Sequence, residues 1–123
     1  MIGKAYVSIF KFYNNKSGKM SFKSRPVLIV GKADDSDYVV LPISRVTNHN
    51  NLDSYYDFPL NINDVPLMNL KERSYVRTHK QSIIHYGELT KEIINFKEVY
   101  PDFYITILGK MEEFQRKLIT NAF

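Results

Sequence analysis

The residues best suited to do chemistry in this chain are a few cations, hydroxyls and one histidine at the ends of short apolar runs. Arg25 stands before Pro26 and the run Val27-Leu28-Ile29-Val30, which closes on Gly31. That run is β-branched, too short for a helix and bounded by Pro and Gly, so it reads as a buried strand with Arg25 held at its mouth. Pro26 suits the first residue of such a strand, where its missing N–H costs no ladder bond. Ser44 closes a second apolar run, Tyr38 to Ile43. Ser74-Tyr75-Val76-Arg77-Thr78-His79 alternates, which places Tyr75, Arg77 and His79 on one strand face. A fixed cation beside a titratable imidazole suits phosphodiester chemistry without a metal. RNA cleaves itself when its 2′-OH is deprotonated, its 5′-oxygen is protonated and the charge growing on phosphorus is met by cations. Arginine does the last through its planar fork.

Each of these residues also has a plain structural reading. Arg25 could pair with a surface carboxylate, a contact often worth about 0–1 kcal/mol. Ser44 could cap a turn. His79 could be a half-exposed, hydrogen-bonded strand residue, His85 between Ile84 and Tyr86 is read as structural, and His49 in an Asn-rich loop is open to either reading.

The elements that must hold these residues are mostly strands. Ala5–Tyr13 is aromatic and β-branched and reads as the first strand, followed by a polar turn from Tyr13 to Lys19. A basic loop then leads to Arg25 and the second strand. Tyr38–Ile43 is the third, with Pro42 marking its end as an edge or bulge. Ser44 to Ser54 reads as a long loop, Tyr55–Leu60 as an edge strand, and Ser74–His79 as a strand that Ser82–Tyr86 continues or pairs with. The period then changes. Thr90 is expected to cap a helix containing Ile93, Ile94, Phe96 and Val99 and ended by Pro101. Asp102 is expected to cap a last helix with Phe103, Ile107, Met111, Phe114 and Leu118 on one face. Short strands followed by helices indicate one α+β domain over residues 1–123, mainly β and antiparallel.

Composition narrows the function classes. At 123 residues the chain can bury a core of its own. It has no cysteine, so neither disulfides nor thiolate chemistry are open to it. No apolar stretch approaches a membrane span, and the N-terminus does not read as a signal peptide, so a cytoplasmic protein is expected. There is no Walker loop, no GxGxxG and no nucleophile elbow. The three histidines are scattered, so no metal or other cofactor is expected. Net charge is +4, but residues 1–33 hold Lys4, Lys11, Lys16, Lys19, Lys23, Arg25 and Lys32 and no acid. That asymmetry points to a polyanionic partner, or to a surface balanced in space by later acids.

Four segments, in order, resemble the PemK/MazF family of bacterial growth-inhibiting toxins. These are Arg25-Pro26-Val27-Leu28-Ile29-Val30 behind a loop with Gly18, Val39-Val40-Leu41-Pro42-Ile43-Ser44, Tyr75-Val76-Arg77-Thr78, and Gly87-Glu88-Leu89-Thr90 followed by Glu92. The resemblance implies an SH3-like small barrel of the CcdB/Kid/MazF type with C-terminal helices, working as a homodimer. It implies a metal-independent endoribonuclease that cuts single-stranded RNA to 2′,3′-cyclic phosphate and 5′-hydroxyl ends, and an acidic antitoxin that covers the basic groove. Arg25 then matches the catalytic arginine, and Ser44 stands at a catalytic threonine. Arg77 matches either an arginine used in catalysis or a structural one, and His79 or His49 could supply the base. Lys16, Lys19, Lys23, Thr47, His49 and Lys80 are the expected RNA contacts, with Phe22 able to stack on a base. Two other outcomes are kept open: a CcdB-like inhibitor that binds DNA gyrase, and an inactive nucleic-acid-binding barrel.

Overall fold

A computed structural model describes all 123 residues. Its spine is a long hairpin. Strand β1 (Ala5–Asn14) pairs with β2 (Lys19–Lys32) without a break from Ala5 opposite Leu28 to Asn14 opposite Lys19. The turn is built locally. Asn14 Oδ1 accepts the backbone N–H groups of Lys16 and Ser17, and Gly18 takes the left-handed φ of 68° that the reversal needs. The segment from Lys19 to Arg25, expected as a basic loop, is therefore the first half of β2. Its side chains are mostly exposed, so it lacks the apolar signature by which a strand is read from sequence. Pro26 consequently lies inside β2. Pairing with the next strand begins only at Val27, so that side of the strand is open at the proline.

Strand β3 (Asp37–Ser44) follows β2, with Val27 opposite Pro42 and Leu28 opposite Leu41. It is central rather than an edge. On its far side Asp37–Val40 pairs with one later strand and Ile43–Ser44 with another, and Pro42 falls in the gap between them. The first of those partners is β6 (Ser82–His85) and the second β5 (Ser74–Arg77), which in turn pairs with β4 (Asp57–Leu60). Strand β4 is the edge strand expected around Pro59. The expected strand from Ser74 to His79 stops at Arg77, and Lys80 N–H donates to Arg77 C=O across a tight turn.

The largest departure is at Thr90. Leu89–Ile94 is strand β7, not the start of a helix. Strand β1 leaves an open edge at Ala5–Ser8, and β7 takes it, with Thr90 Oγ1 donating to Val7 C=O and Lys4 Nζ 2.9 Å from Glu92. Thr90, Ile93 and Ile94 are β-branched, and pairing outweighs their weak helical pattern. Helix begins only at α1 (Phe96–Val99), capped by the Asn95 side chain. That helix stops at Val99, ahead of Pro101 as expected, and Pro101 also opens α2 (Pro101–Ala122) at its first turn, where a missing N–H is harmless. Asp102 lies in that turn without capping it.

The seven strands form one curled antiparallel sheet in the order β4-β5-β3-β2-β1-β7, with β6 beside β3. The protein is thus α+β and mainly β, with a C-terminal helix. Opposite residues of paired strands share a face. On one face Ala5, Leu28, Leu41, Ile43 and Val76 meet Phe96, Tyr104 and Ile107 to form the main core. Phe103 and Met111 pack against it, while Leu118, expected on the same helix face, lies beyond the sheet and is exposed. The other face carries a smaller cluster of Val27, Ile29, Val40 and Ile84, flanked by Tyr6 and Phe10. Arg25 belongs to this second face.

Candidate nucleic-acid cleft

Arg25 sits on β2 one step outside the point where β3 leaves it. Val27 faces Pro42 at the end of the β2–β3 pairing, and Arg25 and Ser44 each lie two residues beyond that pair on their own strands. The apolar segment Val27–Ile29, fully buried, fixes the backbone behind the guanidinium. Arg25 is half-buried, yet it makes no ion pair. The surface carboxylate that would explain it structurally is not there.

Ser44 ends β3 opposite Tyr75 of β5, so the same strand end joins Arg25 to the turn after Arg77. A cleft of about 520 Å³ is lined by Arg25, Pro42, Ser44, Arg77, His79, Lys80, Gln81 and Ser82. Three chain segments thus bring together every residue named as catalytic from the sequence, with Lys80 beside them. No acid lines the cleft. A second hollow of about 710 Å³ continues from Arg25 and Ser44 past Lys23, Arg45 and Lys71. Arg45 is engaged by Glu72 at 3.3 Å, whereas Lys23 and Lys71 have no acidic partner.

Arg77 is differently placed from Arg25. Its Nε and Nη2 donate to the two carboxylate oxygens of Asp57 at 3.0 and 3.3 Å, and Nη2 also donates to Asn51 C=O at 2.7 Å. Asp57 lies directly across from it on β4, and its side chain is fully buried. Arg77 therefore neutralises a buried carboxylate and ties the loop at Asn51 to the sheet.

His79 follows in the turn rather than on the strand. Thr78 anchors that turn by donating its N–H and its hydroxyl to Tyr56 C=O. The imidazole packs against the rings of Tyr56 and Phe114, at 5.9 and 6.0 Å between centroids, and those two rings also touch each other. Burial pushes its pKa below the usual histidine value, with the Asp57 carboxylate opposing that shift and Arg77 adding to it. The shift favours the uncharged ring, the form that can accept a proton. His85, by contrast, uses Nδ1 to accept Gly87 N–H at 2.9 Å and caps the turn from Tyr86 to Glu88, as its structural reading expects.

The remaining expected contacts are spread more widely. Lys16 and Lys19 lie at the hairpin tip, and Lys23 shares the face of Arg25. Phe22 is 66% exposed but faces the other side of the hairpin, opposite Lys11. Phe10 and Phe12 share Arg25's face and line a recess of about 360 Å³ with Lys23, Arg25 and Pro42. Thr47 and His49 are exposed in the segment after β3 and lie outside the cleft. Sequence reasoning passed over Phe10, Phe12, Lys71 and Asp57. The hairpin register, set by the Asn14–Lys19 turn, could have found the first two by alternation. Nothing local marks Asp57 or Lys71, which reach the site only through folding.

No family model matches the chain, and a search of curated proteins also finds no match.

Proposed function

We propose that this protein is a metal-independent endoribonuclease, the toxin of a toxin–antitoxin pair, built on an SH3-like small barrel of the CcdB/Kid/MazF type. The observation that carries this reading is the unpaired, half-buried guanidinium of Arg25 in one acid-free cleft with Ser44 and His79. A phosphodiester fits such a cleft because its charge matches the cations and nothing in it repels an anion.

In this reading His79 takes the proton of the 2′-OH. The 2′-oxygen bonds to phosphorus and the P–O5′ bond breaks. The proton lost at the 2′-oxygen is delivered to the 5′-oxygen, with the Ser44 hydroxyl as relay. Neither water nor any other reactant enters the balance, and the products are a 2′,3′-cyclic phosphate and a 5′-hydroxyl. Arg25 meets the charge that builds on the phosphorane oxygens. Arg77 holds Asp57 and the loop at Asn51. Lys23, Lys71 and Lys80 line the path of the flanking phosphates. DNA lacks the 2′-OH and is not a substrate. The barrel works as a homodimer, and an acidic antitoxin segment silences it by filling the basic groove.

The test is incubation of the purified protein with a long single-stranded RNA in EDTA, beside Arg25→Ala. The expected result is discrete cuts with cyclic-phosphate ends that vanish in the variant. Intact RNA that is nonetheless bound would mean an inactive binding barrel. Intact RNA with gyrase inhibition would mean a CcdB-like poison.

A further inference from the structure

His79 carries an unexplained feature. Its Nδ1 is buried and has no hydrogen-bond partner. The nearest charged oxygen is Asp57 Oδ1, 3.9 Å away, too long for a hydrogen bond but close enough for a strong field in dry surroundings. Asp57 itself is fully engaged elsewhere. One oxygen accepts from Asp53 N–H at 2.8 Å, and both accept from Arg77. It has no freedom to turn away from the ring, and the ring is held by Tyr56 and Phe114.

A neutral imidazole can carry its proton on either nitrogen. With the proton on Nε2, the Nδ1 lone pair would face a buried carboxylate, setting two electron-rich atoms against each other. With the proton on Nδ1, a positive N–H edge faces that carboxylate instead. We infer that Asp57 is a positioning residue that holds the proton of His79 on Nδ1, leaving Nε2 as the nitrogen that accepts a proton from the cleft. The inference rests on the reading of His79 as the base, and it gives that reading its missing part. A base needs a defined tautomer, and a third group usually sets it. Asp57 serves two residues at once, because the same carboxylate fixes Arg77.

The deciding measurement is the ¹⁵N spectrum of the histidine rings in the wild-type protein at alkaline pH. His85 is the internal reference. Its Nδ1 accepts Gly87 N–H, so its proton is on Nε2. His79 is expected to show the opposite tautomer. A His79 with its proton on Nε2 overturns the inference, and no variant need fold to obtain that result. Asp57→Asn supplies the second reading. Its kcat is expected to fall by about 10- to 100-fold with a smaller change in KM, and its His79 signal to move toward the other tautomer. A folded variant with the wild-type tautomer overturns the inference. If the protein cuts no RNA, the proposed function falls, while the spectrum still decides the role of Asp57.

Discussion

Two arginines, both predicted for one site, are held in opposite ways. Arg25 has no carboxylate, so Arg25→Ala should abolish activity while leaving thermal unfolding within a few degrees of wild type. Arg77 is bidentate to a buried carboxylate, and removing it strands that charge. Arg77→Met should therefore cost about 3–5 kcal/mol, read by urea unfolding. His79 gives a pH signature. Its folded pKa lies below the usual value of about 6.5, so the unfolded chain binds the proton more readily. Stability is then full above that value and falls as pH drops from it toward the folded pKa. The same shift keeps His79 unprotonated to lower pH. The acidic limb of RNA cleavage should accordingly lie below pH 6.5, and a limb above it would remove His79 as the base.

Elements explain where sequence periodicity misleads. The stretch Thr90–Ile94 has a helical pattern, but the free edge of β1 offers it four backbone partners and the Lys4–Glu92 contact. The cationic half of β2 looks like a loop because neither face is buried deeply, yet the Asn14–Lys19 turn sets its register. Two glycines test the packing of these elements with opposite sign. Gly3 has a φ of 90°, and a Cβ there would sit 2.6 Å from Lys97 Cβ, where the N-terminus crosses α1. Gly3→Ala should lower stability by about 1 kcal/mol or more. Gly109 lies within α2 and a Cβ there would meet nothing within 4 Å. Gly109→Ala should raise stability by about 0.5–1 kcal/mol. Chemical denaturation of the pair against wild type checks both.

At the scale of the whole molecule, the charge asymmetry noted in residues 1–33 is only partly cancelled by folding. Lys4 finds Glu92 across the β1–β7 seam, but Lys23 and Arg25 remain unpaired and converge with Lys71 and Lys80 along the joined hollows. A chain of phosphates laid there would release counterions. RNA affinity should fall with salt at a log–log slope of about 0.7 per phosphate neutralised, and Lys80→Gln should make that slope shallower. A salt-independent affinity would argue against a polyanion in this groove. No helix is long and apolar enough to cross a membrane.

Local sequence determined a good deal of this protein. The buried strand behind Arg25, the third strand ending at Ser44, the edge strand at Pro59 and the apolar face of the last helix are all read from short-range patterns, because burial imposes a period on neighbouring side chains. Residue types at the ends of those runs marked Arg25, Ser44, Arg77 and His79 as candidates. Tertiary structure alone decided how those candidates differ. Asp57 lies 20 residues before Arg77 and Phe114 lies on the last helix, so no spacing links either to His79. Strand pairing across β4 and β5 brings the carboxylate under the arginine, and docking of α2 brings the ring against the imidazole. Electrostatic partners depend on distance in space, which periodicity along the chain does not encode. For that reason the sequence could name an arginine and a histidine, and only the fold could show which arginine is free and which carboxylate lies beside the histidine.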